Sequence, residues 1–377
     1  MKNIFIISCL CLYFVSSCST PENTKSVFVD IDPSRKVMDS TIFTDRKVIF
    51  LESSNPESLL GDIDVIDIYK DVLYVYDKVR MNLLSFSMDG SYLSKIGGRG
   101  QGPGEFIRMS SFCIDRDNDE IMISTDVPTK IMFFSLSGKF ISETETDDLI
   151  SEMAKKGDKL YCSISLNKKY EFAIYTIENR AVKSVKYCDT SDRIINKIYR
   201  MVPPGKMLLG SNSEILFTRT FDNTIYKVAD DRLIPYMMLD FGKYNLSNVN
   251  TLDNDAVTKK VFGDRMIYGI TNAKSIGDKI IFCGQPNGIF VAVGNNVAQQ
   301  YGTIIDSQFL IEQNENHMTP FLDPGSDIIV FTQQANSFKY LVARHKNSYT
   351  EETINLISKV DPEDNPIIFL YKLKLFF

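Results

Sequence analysis

Histidine is almost absent from the chain. The two that occur, His317 and His345, form no HExxH pairing, so a histidine-rich zinc centre is excluded. No GxSxG is present, which counts against one familiar serine-hydrolase arrangement. No CxxC pair marks a redox or metal site. The 42 basic and 48 acidic side chains are interspersed without a block of lysine or arginine, and the net charge is −6. An electrostatic case for nucleic-acid binding therefore does not start. Beyond the N-terminus no stretch is long and apolar enough to cross a bilayer. What remains is ordinary globular composition, 44% hydrophobic and 24% charged, which argues against long disorder, a collagen-like repeat or a coiled coil. A chain of 377 residues can bury a large core.

Residues 1–18 do not read as part of the fold. Lys2 supplies a positive start, and Ile4 to Val15 is a nearly unbroken apolar run. That length suits a signal peptide better than a span, which needs about 20 apolar residues. The ending Val15-Ser16-Ser17-Cys18 resembles a bacterial lipobox. The resemblance implies cleavage before Cys18 by signal peptidase II and lipid on that cysteine. Several acyl chains on one residue anchor stably, where one chain holds only marginally. An ordinary secretory signal with an incidental cysteine is the alternative. The expected organisation is a signal peptide over 1–18, a tether and lead-in over 19–45, and a single folded domain over 46–377. Cys113, Cys162 and Cys283 sit in apolar strand-like runs and, with Cys188, show no disulfide framework; the first three are expected to be buried small hydrophobes.

One short pattern recurs: a turn, an acidic residue at or next to it, then aliphatic and aromatic residues. Its copies are Lys70-Asp71-Val72-Leu73-Tyr74, Asn118-Asp119-Glu120-Ile121-Met122 and Gly157-Asp158-Lys159-Leu160-Tyr161. Asn212-Ser213-Glu214-Ile215, Gly277-Asp278-Lys279-Ile280 and Gly325-Ser326-Asp327-Ile328 follow. The marker residues Leu73, Ile121, Leu160, Ile215, Ile280 and Ile328 are spaced 51 residues apart on average, close to the ~40–50 of a four-stranded propeller blade. A polar turn followed by a short β-rich run is a hairpin signal. A lone blade cannot bury both faces, and radial packing covers them. The windows show no 3.6-residue period.

The first two copies parse into strands at 63–68, 73–77, 82–87 and 92–96, then at 111–114, 121–124, 130–135 and 140–143. Asp89-Gly90 and Ser137-Gly138 mark tight hairpins. The last copy has strands at 318–322, 328–332 and 367–373 but lacks a fourth, while an orphan strand, 47–52, stands before the first copy. Pairing the two removes an open edge. Residues 336–360 have helical character and are expected to form a helical lid, which takes in His345. The predicted fold is all-β: a six-bladed β-propeller of four-stranded antiparallel blades, closed by the N-terminal strand, with one helical insertion near 336–360.

The loop Ile96-Gly97-Gly98-Arg99-Gly100-Gln101-Gly102-Pro103-Gly104-Glu105-Phe106 and the closing Asp364-Asn365-Pro366-Ile367-Ile368, together with the lipobox, resemble those of the NHL-like six-bladed β-propeller lipoproteins of Bacteroides-type bacteria. The likeness is weaker between 149 and 242. It implies architecture and envelope location and brings no catalytic residues, and a fold does not settle function.

The glycine-rich loop fails both the dinucleotide and the P-loop patterns, so its glycines are expected to serve a strained connection, with Arg99, Gln101 and Glu105 as candidate binding residues. Asp115-Arg116-Asp117-Asn118-Asp119 alternates acids like a calcium loop, but Glu120 replaces the glycine required at the sixth position. Asp77, Arg80, Asp126, Lys130, Arg219, Asp222 and Asn223 belong to loops that share one face of a propeller, and form the other candidate ligand or partner site. The expected function is a lipid-anchored, non-catalytic binding or interaction module of the cell envelope, attached to the outer membrane through Cys18. A protein, glycan or peptide partner is expected, with no cofactor, metal or nucleic acid. The alternative is a metal-dependent hydrolase, lactonase or lyase in the central channel, to which Asp64, Asp67 and Glu105 would contribute.

Overall fold

The computed structural model describes residues 24–32, 34–165, 170–189, 208–210, 214–229, 231–246, 253–264, 266–276, 279–285, 288–293, 297–301, 303–309, 312–313, 321–322, 326–344 and 349–374. Cys18, His317 and His345 lie outside them. The described chain is nearly all β. It opens with β1 (Lys25–Asp30), β2 (Lys36–Met38), the single turn α1 (Asp39–Ile42) and β3 (Phe43–Phe50). A four-stranded antiparallel sheet follows, β4–β7 at Val65–Tyr69, Val72–Asp77, Asn82–Ser87 and Tyr92–Ile96. After the short parallel pair β8 (Gly98–Arg99) and β9 (Glu105–Phe106), a second sheet holds β10–β13 at Met109–Asp115, Glu120–Asp126, Thr129–Ser135 and Phe140–Glu145. The third holds β14–β17 at Leu149–Lys156, Lys159–Ser165, Tyr170–Glu178 and Ala181–Asp189.

A nine-stranded sheet comes next. One half is β18–β21 at Leu208–Gly210, Ile215–Phe217, Thr224–Ala229 and Arg232–Asp240. After the short helix α2 (Asn254–Thr258), the other half is β22–β25 at Gly269–Ile276, Lys279–Gln285, Gly288–Val293 and Val297–Tyr301. β1 joins the halves, running parallel to both β21 and β25. Part of the segment read from the sequence as a tether and lead-in is thus a strand that covers two sheet edges at once. β26 (Thr303–Ile305) lies between β2 and β27 (Glu312–Gln313). The last sheet is ordered β28 (Phe321–Leu322), β29 (Ile328–Gln333), β30 (Ile367–Leu373), β3. β3 and β30 run antiparallel from Phe43↔Leu373 to Phe50↔Ile367, so the opening and closing segments share one sheet.

Each marker residue of the repeat falls on the second strand of its group, where Leu73, Ile121, Leu160, Ile215 and Ile280 are buried and Ile328, at the start of its strand, is partly buried against the first sheet. Both faces of these strands are apolar, and each face supplies a different core cluster. Leu73 and Val75 pack with Ile49, Val330 and Ile368 of the last sheet, whereas Tyr74 and Tyr76 pack with Phe112, Ile114 and Ile123 of the second. Met122, Ile131 and Phe133 then meet Leu160, Cys162 and Tyr175, and Tyr161, Phe172 and Ile174 meet Ile215 and Phe217. Leu216, Ile225 and Leu239 meet Ile270, Ile280 and Phe282, together with Val27 and Val29 of β1. Ile281 and Cys283 meet Ile329, Phe331, Phe369 and Tyr371. Every four-strand group therefore shares one core with the group before it and another with the group after. Cys113, Cys162, Cys188 and Cys283 are all free thiols buried in these cores.

Antiparallel alternation puts two kinds of connection at the same end of the strands: those from the second to the third strand, and those from a fourth strand to the next first strand. The opposite end carries tight turns. Lys70-Asp71 and Asn179-Arg180 both hold positive φ at each central residue, the conformation that matches the twist of a two-residue hairpin. Among the described residues, the first end carries long connections at 51–64 and 97–108 and the described parts of those between β21 and β22 and between β29 and β30. The last contains α3 (Ala335–Arg344) and α4 (Glu351–Ser358). Ala335, Phe338 and Val342, at helical spacing on α3, bury into the same core as Phe309 and Phe369, with Ile357 of α4 beside them. The helical insertion is packed down at this end, and Thr350 caps α4 by accepting from the Thr353 N–H.

Candidate functional site

The long-connection end holds a cavity of about 250 Å³ lined by Phe221, Asp222, Asn223, Phe241, Asn245, Leu246, Ile267 and Gly269. Two connections build it: the second-to-third-strand turn at 218–223, and the excursion that leaves β21 and returns to β22. Phe221 sits at the bend with φ +61°, a left-handed conformation that bulky residues rarely adopt, and its N–H donates to the Tyr268 carbonyl at 2.5 Å. The turn is tied by Asp222, which accepts from the Thr224 N–H at 3.0 Å and from the Tyr226 hydroxyl at 2.8 Å. Asn223 Nδ2 donates to the Leu239 carbonyl at 2.6 Å. Across the cavity, Asn245 Oδ1 accepts from the Phe241 N–H at 2.9 Å while its Nδ2 donates to Asp240 at 2.8 Å. Aromatic and aliphatic walls with a few fixed polar groups are the usual composition of a ligand seat.

Arg219, three residues from Asp222, turns away into the protein. Its guanidinium lies 4.7 Å from the Tyr226 ring and 3.3 Å from Glu171 of β16, with both charged side chains buried. It bridges the third sheet to β18–β21. Asp222 and Asn223 are therefore together in the cavity, and Arg219 supports the wall behind them.

The remaining candidates lie elsewhere at the same end and serve local structure. Asp77 is 0% exposed: it accepts from the N–H groups of Gly61 (2.5 Å), Val79 (2.8 Å) and Arg80 (3.0 Å), so it satisfies the turn that follows β5. Arg80 is exposed on that turn. Asp126 pairs with Arg108 at 2.5 Å, and Lys130, largely buried, pairs with Glu143 of β13 at 2.7 Å. In the glycine-rich loop, Glu105 folds back and accepts from the Gly102 N–H at 2.8 Å, its carboxylate filling the space beside Gly100. Gly97 and Gly104 hold positive φ, and a Cβ on them would come within 2.7 Å of Phe106 and 2.9 Å of Phe140. Arg99 and Gln101 remain exposed on this loop.

The three carboxylates conceivable for a channel enzyme are separately engaged. Asp67 is ion-paired with Arg116 at 2.6 Å, Glu105 is held as above, and Asp64 accepts from the Lys78 N–H at 2.7 Å. Burial raises the Asp64 carboxyl above its usual value; the Lys78 bond opposes this, and the Asp62 and Asp77 charges add to it. Among the described residues no group of three or more His, Cys, Asp or Glu could hold a metal ion. The acidic turn after β10 is likewise committed, because Asp115 accepts from the N–H groups of Asp117 and Asn118 and pairs with Lys155.

Sequence reasoning found Asp222 and Asn223 as polar residues of a loop. It missed Phe221, Phe241, Asn245, Leu246, Ile267 and Gly269, whose signal was a dense aromatic and amide segment, Phe241-Gly242-Lys243-Tyr244-Asn245, just after a strand.

A family model described as a domain of unknown function, DUF4934, matches residues 27–372. The chain belongs to that family. No curated protein matches the sequence. Among solved structures, this DUF4934 chain is similar to a Bacteroides fragilis protein that carries the description of an exported protein, at TM-score 0.66 and 16% identity over 93% of this chain and 100% of that one. It is also similar to a member of the duf4221 family from Bacteroides vulgatus, at TM-score 0.51 and 9% identity over 88% and 97% of the two chains. A lower similarity, TM-score 0.40 at 10% identity over 62% and 65%, is to the β-propeller domain of Swd1 from Myceliophteria thermophila.

Proposed function

We propose that this DUF4934 protein is a lipid-anchored, NHL-like, six-bladed β-propeller of the cell envelope that binds a partner through its long-connection face without catalysing a reaction. In this reading the nine-stranded sheet is two blades stapled by β1, and β3 completes the last blade. The chain of cores shared from one strand group to the next supports six blades. The lipobox at Val15–Cys18 and the exported description of the Bacteroides fragilis relative support the location.

The cavity beside Phe221 carries the functional reading. At about 250 Å³ it is smaller than the ~300–1,000 Å³ typical of sites that enclose a drug-sized ligand. It suits one ring or one side chain projecting from a larger partner, such as a glycan terminus or a peptide. The ties on Asp222, Asn223 and Asn245 hold it preformed, which lowers the ordering cost of binding.

Capture from native envelope with the full-length chain tests this. Recovery of a stoichiometric partner by the parent protein, lost with Leu246→Trp (which fills the cavity) and kept with Val79→Ser on another loop, is the expected result. Recovery of no partner, or equal recovery by both variants, would remove the cavity from consideration.

A further inference from the structure

We infer that the outward face of β1 and its neighbours rests on the surface of the lipid bilayer; this goes further than, and rests on, the reading of Cys18 as lipidated. β1 alternates strictly. Val27 and Val29 point into the core with Met237, Leu239 and Ala298, while Phe28 points out and is 52% exposed. The strands beside it run parallel and in register, so their outward residues stand on the same face. Phe28 is directly opposite Val297 of β25, and Met238 of β21 is opposite Ser26, one pleat away. Val297 and Met238 are exposed as well. β1 and the two strands beside it thus present a ring and two apolar side chains together on the rim of the protein, with the exposed Asp240 of β21 as the other in-register neighbour of Phe28.

Chain length says what this patch meets. Seven residue steps separate Cys18 from Lys25, the first residue of β1, and seven steps reach about 24 Å at full extension. A compact chain of this length has a radius of gyration of about 20 Å, so its diameter is close to twice that reach. A lipid on Cys18 would therefore keep the β1 rim beside the bilayer and could not let the opposite rim touch it. Held at that range, even a small patch is effectively at high concentration over the surface, so the lipid on Cys18 supplies the affinity and the apolar side chains set which rim faces the bilayer.

The sequence contains no tryptophan, so one introduced indole reports its own site without background. The full chain with its native N-terminus is expressed, purified in detergent and reconstituted into phosphatidylethanolamine/phosphatidylglycerol vesicles containing doxyl-labelled phosphatidylcholine. Phe28→Trp and Met238→Trp are compared with Leu93→Trp, an exposed position on the first sheet. For indoles seated ~5–10 Å into the headgroup boundary, we expect roughly twofold quenching of the first two by the doxyl lipid, with a blue shift, and little quenching of the third. Equal quenching of all three by aqueous iodide, with mass spectrometry showing lipid on Cys18, overturns the seating and leaves the anchor intact. A chain whose Cys18 carries no lipid overturns both.

Discussion

Lys155 Nζ lies 3.3 Å from Asp115 Oδ2, with side chains only 4% and 5% exposed. The pair locks the turn after β10 onto β14 of the next sheet, and Gly157 strengthens the clamp by donating its N–H to Asp117 at 3.1 Å. Removing one partner of a buried pair strands the other charge. Lys155→Ala should lower stability by about 3 kcal/mol, the low end of the usual range, because Asp115 keeps its turn donors. Urea unfolding measures this, and Lys155→Met combined with Asp115→Asn should recover most of the loss. The same commitment means that millimolar calcium should leave the Tm unchanged.

The two faces of β1 should respond oppositely to truncation. Val27→Ala and Val29→Ala each remove two buried methyl-sized groups and should cost about 2 kcal/mol. Phe28→Ala deletes a larger side chain from solvent and should change stability by no more than about 0.5 kcal/mol in detergent-solubilised protein. Chemical denaturation of the three variants makes the comparison.

Asp64 should be a mild liability at neutral pH. Its folded pKa is raised by burial, so its protonated form is favoured on folding; the stability it contributes is complete at low pH and is lost as pH rises through the folded value. Asp64→Asn, which can still accept from Lys78, should be more stable than the parent at pH 7, by under about 1 kcal/mol for a half-buried group. The advantage should shrink as pH falls through the carboxylate range. Denaturation midpoints at pH 7 and pH 3.5 give the test.

Tyr226 links the buried Arg219 to the cavity, because its ring lies against the guanidinium and its hydroxyl donates to Asp222. Tyr226→Phe should keep the ring contact and lose one hydrogen bond, costing about 1 kcal/mol. With the Asp222 carboxylate less firmly held, partner capture should weaken while far-UV circular dichroism stays unchanged.

The second strands were legible because each begins at a polar turn and is apolar on both faces, a pattern that repeats. The partnership of the opening and closing segments was legible as a count, since Ile367–Leu373 is a third strand without a fourth. β1 was not legible: Ser26-Val27-Phe28-Val29 is a short alternation with no turn signal of its own, and its partners lie far along the chain. The site was half legible. Asp222 and Asn223 stand out as loop polars, but Ile267 and Gly269 come from the far end of a long excursion. Asp77 shows the opposite failure. An acid at a strand end reads as solvated, yet three backbone N–H groups draw it wholly inside.

The pairings of Lys25 with Met237, Phe28 with Val297 and Phe43 with Leu373 impose an order on biosynthesis. β1 and β3 have no partners until residues about 200 to 330 positions further along have been made. Such remote contacts carry a large closure entropy and slow the search for the native state. Sheets two and three, each built from contiguous hairpins, can assemble while the beginning of the chain is still unpaired, and the two N-terminal strands then act as late fasteners. Deleting β30 would leave Phe43–Phe50 as an exposed, aggregation-prone edge.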